Sequence, residues 1–98
     1  MTLPKGRKRL WLSLRNSTDS PKLFTFDVAN SPVNGTIAIR PDGMVNVFEA
    51  ETGKTYAISV AVEDGDGGEY DWSVDERTSS LVVELTDDEL RFKEVQML

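Results

Sequence analysis

Apolar side chains recur at every second position through most of this chain. Leu10, Leu12 and Leu14 alternate with Trp11, Ser13 and Arg15, the pattern of a strand that buries one face. Phe24, Phe26 and Val28 repeat it against Leu23, Thr25, Asp27 and Ala29, and Ile37 and Ile39 carry a third strand to Arg40. A short fourth strand spans positions 44–48. The clearest alternation is Tyr56, Ile58, Val60 and Val62 against Ala57, Ser59 and Ala61. Tyr70, Trp72 and Val74 form the next strand, followed by Leu81, Val83 and Leu85 and by Leu90 and Phe92.

Turn chemistry falls between these runs. Asn16-Ser-Thr-Asp-Ser-Pro21 supplies small polar side chains that bond their own backbone, then a proline that ends pairing. Pro41-Asp-Gly43 predicts a tight turn, with proline pre-setting φ and glycine taking the positive φ. Glu49 and the residues to Lys54 are polar around a central glycine, and Asp64-Gly-Asp-Gly-Gly68 reads as a hairpin loop. No ten-residue stretch has a 3.6-residue period, so helix is expected at most as a turn near positions 87–90. The fold class expected is all-β, an antiparallel β-sandwich of seven or eight strands, with a small jelly roll as the alternative topology.

Length and charge sharpen this picture. Ninety-eight residues suit one domain, read as a basic arm over residues 1–9 and a single β-sandwich over residues 10–98. Net charge is −6, but it is unevenly spread. Residues 1–15 hold five bases and no acid. Residues 16–98 hold six bases against seventeen acids, a net −11. Such a body repels nucleic acid and anionic membranes through its own field, so contacts of that kind would fall to the arm. The acid excess and the scarcity of lysine match proteins adapted to multimolar salt.

The chain has neither histidine nor cysteine. This removes imidazole bases, thiol nucleophiles, disulfides and the commonest transition-metal ligands. Carboxylates remain. In the segment from Glu63 to Asp75, Asp64, Asp66 and Asp75 match positions one, three and twelve of a calcium loop, but Gly68 stands at position five and Glu69 where glycine is needed. The segment therefore reads as turn chemistry. Asp87, Asp88 and Glu89 read as solvated turn charges, and no Ser-x-x-Lys spacing supplies a base for a serine nucleophile. No cofactor is expected, and enzymatic activity is not.

Three segments carry a resemblance. Leu-Arg-Asn16-Ser-Thr-Asp19-Ser-Pro21, Gly-Lys-Thr-Tyr56, and Glu-Tyr70-Asp-Trp72-Ser-Val74 after an acidic glycine hairpin stand in the order seen in small immunoglobulin-like or cupredoxin-like β-sandwich domains of halophilic archaea. The chain resembles that repertoire over residues 10–93. The resemblance implies a sandwich fold in a surface or structural setting, in a haloarchaeon or a virus that infects one. It does not extend to copper, because a copper site needs imidazole and thiolate ligands.

The candidate partner-binding residues are Lys5, Arg7, Lys8, Arg9, Trp11 and Arg15. Lys5-Gly-Arg-Lys-Arg9 packs four cations into five residues after Pro4, a segment suited to an acidic patch on a protein or to anionic lipid. Phosphate contacts weaken steeply in salt, which disfavours nucleic acid. Trp11 points opposite to the leucine face, so it is expected to be exposed or to cover an interface, beside Arg9 and Arg15. Trp72 shares a face with Tyr70 and Val74 and is expected in the core. Asn16-Ser-Thr18 and Asn34-Gly-Thr36 match the N-glycosylation acceptor pattern in predicted loops. No apolar run reaches 18 residues, and no signal peptide is legible.

These features point to a non-enzymatic assembly protein, a minor capsid or virion component. Its partners would be other structural proteins of the same assembly, with anionic lipid a further partner for the arm. The expected location is the virion or the extracellular and cell-envelope surface, after a cytoplasmic stage. The alternative is an accessory module that binds carbohydrate or peptide.

Overall fold

A computed structural model describes residues 10–63, 65–74 and 80–95. Eight strands follow one another: β1 (Leu10–Asn16), β2 (Lys22–Val28), β3 (Asn34–Ile39), β4 (Met44–Ala50), β5 (Lys54–Val62), β6 (Gly67–Val74), β7 (Ser80–Leu85) and β8 (Leu90–Val95). No helix occurs among the described residues. The strands form two four-stranded sheets packed as a β-sandwich, one ordered β4-β1-β7-β8 and the other β3-β2-β5-β6.

The two-residue period explains the packing. Leu10, Leu12, Leu14, Leu81, Val83 and Leu85 from the first sheet meet Phe24, Val28, Ile39, Ile58, Val60, Val62 and Trp72 from the second, all buried. Trp72 and Phe24 are the largest fully buried side chains, so Trp72 is a core residue. Fully burying each Leu, Ile, Val or Phe is worth about 1.5–3 kcal/mol against leaving it in water.

Strand direction departs from the sequence-based expectation at one place. β1 runs parallel to β7, with Leu12 opposite Leu81 and Asn16 opposite Leu85, while every other pairing is antiparallel. Alternation fixes which face a strand buries and carries no information on direction. Direction comes from the order of crossings between sheets, which inserts β1 between β4 and β7.

Three local details also differ. β3 starts at Asn34 and β4 reaches Ala50, so the connecting loops are shorter than composition suggested. In the Pro41-Asp-Gly43 turn it is Asp42 that takes the positive φ of 62°. Gly43 sits in a tight space, where a Cβ would lie 3.0 Å from the Arg40 carbonyl oxygen and 3.1 Å from Ile39. The segment 86–89 is a hairpin turn: Thr86 N–H donates to Glu89 O at 2.9 Å, and Thr86 Oγ1 accepts from Glu89 N at 3.1 Å.

The two lateral sides of the sandwich are unlike. On one, β6 and β8 approach: Tyr70 stacks on Phe92 with centroids 5.6 Å apart, and the Tyr70 hydroxyl donates to Glu94. Gly68 leaves room for this, as a Cβ there would fall 2.9 Å from the Phe92 ring. The other side is bounded by β3 and β4, the remaining edge strands.

Candidate partner-binding face

Lys5, Arg7, Lys8 and Arg9 lie outside the described residues. Trp11 and Arg15 lie on β1, a central strand, and their side chains share the outer face of the first sheet. Register sets out that face in three rows: Glu49, Trp11, Ser80 and Val95; then Asn46, Ser13, Val82 and Lys93; then Met44, Arg15, Glu84 and Arg91. Trp11 follows the cationic segment two residues after Arg9, and the sandwich places it diagonal to Val82 and in one row with Val95, with Ser80 between.

Trp11 is half-buried rather than freely exposed. The Trp11 main-chain N–H donates to Ser80 Oγ at 3.1 Å, and Ser80 is buried although it stands in an outward-facing row. Ser13 is buried on the same face and donates to Asn46 Oδ1 at 2.5 Å. A register shift in β4 opposite Leu12 and Ser13 accompanies this contact. Val95 stays 39% exposed and Met44 53% exposed, so apolar surface remains at both ends of the face.

Arg15 is engaged within the chain. Its Nε donates to Ser17 Oγ at 3.1 Å and lies 3.6 Å from Glu84 Oε2. Ser17 Oγ donates to the same carboxylate at 2.6 Å, and Lys93 Nζ donates to its other oxygen at 2.6 Å. The Lys93 and Ser17 hydrogen bonds, aided by the Arg15 charge, hold the Glu84 carboxyl below its ordinary range. Much of Arg15's charge is thereby answered at home, which leaves Trp11 as the more available of the two for a partner. The cross-strand pairing of Arg15 with Glu84 comes from the parallel register, a contact that local sequence does not reveal.

A groove of about 440 Å³ opens between the β2–β3 connection, the end of β4 and the start of β5. Phe48 and Tyr56 form its apolar wall, packed edge to face with centroids 5.0 Å apart, and Glu49, Glu51, Lys54 and Asn30 stand around it. Glu51 pairs with Lys54 at 2.8 Å, and its N–H donates to the Tyr56 hydroxyl at 3.0 Å. Hydrogen bonding to Lys54 lowers the Glu51 carboxyl and raises the Lys54 amine.

The two glycosylation patterns separate. Asn16 is wholly buried in β1 rather than in a loop, with both amide hydrogens donated to Ser20 O and Ile39 O at 2.8 Å. A glycan cannot attach there without unfolding the site. Asn34 is exposed at the start of β3. Asp66, Asp87 and Asp88 are exposed, and among the described residues no three acidic side chains gather as a metal group. Asp64 and Asp75 of the calcium-loop count lie outside the described residues. No described helix is long and apolar enough to cross a membrane. Comparison with known proteins returned no matching family model, no matching curated protein and no matching solved structure.

Proposed function

We propose that this chain is a non-enzymatic assembly module, a minor structural component of a virion or cell envelope in a halophilic archaeon or one of its viruses. The observation that carries this reading is the outer face of β1. A half-buried tryptophan shares a cross-strand row with the exposed Val95, Ser80 lying between them, and the cationic segment precedes it directly in the chain. Large aromatic side chains flanked by cations are the residues that dominate protein contacts, because they bury much area at little entropic cost. An acidic body keeps copies apart until such a contact forms.

The partner in this reading is another structural protein of the same assembly. Its binding surface would be apolar opposite Trp11 and acidic opposite Lys5, Arg7, Lys8 and Arg9. The test compares the full chain, the chain lacking residues 1–9 and Trp11→Ala for incorporation into released particles, measured by quantitative mass spectrometry. Both variants are expected to fold and to be lost from particles. Normal incorporation of both would refute the reading. Enrichment of the natural protein in cytosol, with none at a fixed ratio to a major particle protein, would refute it as well.

A further inference from the structure

Among the described residues, four strands lie at sheet edges: β3, β4, β6 and β8. An open edge is a template for another strand, and sheets ordinarily blunt it with charge, proline, a bulge or a cover. Three of these edges are blunted. β4 carries Glu49 and the register shift, β6 carries Glu69 and Asp71, and β8 carries Arg91, Lys93 and Glu94. β6 and β8 also face each other through Tyr70 and Phe92. β3, Asn34-Gly-Thr-Ile-Ala-Ile39, has no charge and no proline, and it pairs with β2 without a shift from Lys22–Ile39 to Asp27–Asn34.

The backbone phase of β3 follows from one bond. Val28 N–H donates to Val33 O at 2.9 Å. In an antiparallel ladder the bonding direction alternates, so odd-numbered residues of β3 turn their main chain to β2. Asn34, Thr36 and Ala38 then present N–H and C=O to the open side. Their side chains are exposed on the outer face of the sheet, while Gly35 and Ile37 on the core side are half-buried.

We propose that β3 pairs antiparallel with β3 of a second copy, joining the two β3-containing sheets into one continuous sheet about a two-fold axis. Keeping outer face with outer face, and outward main-chain groups with outward groups, allows only registers that pair even positions with even. The register with Ile37 opposite Ile37 places Thr36 opposite Ala38 and Arg40 opposite Asn34. Asn34 already stands beside Asp27 of β2 on the same outer face. Arg40 of one copy therefore lies two strand spacings, about 9.6 Å, from Asp27 of the other, within reach of a guanidinium side chain. Within its own chain, Arg40 pairs with no acid among the described residues. Symmetry makes this ion pair twice. Centring on Thr36 instead would set Arg40 against Pro32, beyond the strand, and lose both pairs. For a chain of net charge −6, β3 is the edge that brings no carboxylate to the contact.

This inference deepens the assembly reading and rests on it, naming a second copy as one partner. It is tested on the purified full chain by sedimentation equilibrium up to millimolar concentration, at low and at molar KCl. A reversible dimer is expected. Ala38→Lys, which puts one lysine from each copy diagonally across the seam, is expected to weaken it about tenfold or more without lowering the melting temperature; Thr36→Lys serves as the second variant. Asp27→Arg and Arg40→Asp should each weaken the dimer, and together restore it. A chain that stays monomeric, a dimer indifferent to both lysine variants, or charge reversal that fails to restore would each overturn the proposal. Particle incorporation is read separately on the variants lacking residues 1–9, so either idea can fail while the other stands.

Discussion

Asn16 is the residue whose loss should cost this small protein most for its size. It ends β1 fully buried, and every polar atom of its side chain is used. Nδ2 donates to Ser20 O and to Ile39 O, each at 2.8 Å, and Oδ1 accepts from Thr18 N at 3.0 Å and Thr18 Oγ1 at 2.6 Å. Its main chain closes the ring, with Asn16 N–H donating to Gly43 O and Asp42 N–H donating to Asn16 O. One side chain thus ties the first sheet to the loop leading out of it and to the end of β3 in the second. Asn16→Ala leaves Ile39 O and Thr18 N without their side-chain partner, while Ser20 O keeps Thr18 Oγ1 at 3.0 Å. Ile39 O still faces β2 in the ladder, so one orphaned buried N–H at about 1–3 kcal/mol and one lost second bond at about 0.5–1.5 kcal/mol give a loss of about 1.5–4.5 kcal/mol. A domain of this length has about 5–15 kcal/mol in all. With a urea slope of about 1–1.5 kcal/mol/M, the midpoint should fall by about 1–4.5 M in equilibrium denaturation. Asn16→Asp should be worse at neutral pH, because it replaces two N–H donors with a buried negative charge facing two carbonyls. Loss of less than about 1 kcal/mol in Asn16→Ala, or an Asp variant as stable as the parent, would refute the argument.

Gly68→Ala should destabilise by about 1–3 kcal/mol, since its Cβ would meet the Phe92 ring at 2.9 Å; chemical denaturation should show the cost shrinking in a Phe92→Ala background. Glu84 has a depressed carboxyl in the folded state, so its contribution is present above the unfolded pKa and lost as pH falls through the folded one. The stability gap between the parent and Glu84→Gln should therefore close as pH falls below about 4.5, and a gap constant with pH would contradict the Lys93–Ser17–Arg15 cluster. Raising KCl from low to molar should raise the thermal midpoint as the acidic body is screened; a falling midpoint would mean that the ion pairs at Glu84 outweigh that repulsion.

Alternation along the chain determined the all-β class, a count of seven or eight strands and nearly every core side chain. A two-residue period assigns faces wherever one side is buried, and Trp72, Leu12 and Val60 went where it put them. The order of charged residues along the chain set the asymmetry between residues 1–15 and the rest. Tertiary structure decided what depends on distant neighbours. The parallel neighbour of β1 follows from crossings between sheets, and with it the engagement of Arg15 by Glu84. Asn16 reads as a turn residue and an acceptor pattern, yet its burial follows from carbonyls that β3 and the 17–21 loop deliver to it. The positive φ falls on Asp42, while Gly43 sits where Arg40 and Ile39 come close, a crowding that local sequence does not show. The exposed status of β3 as an uncharged edge was equally invisible, because a strand's sequence records which face it buries but not which strand, if any, lies at its side.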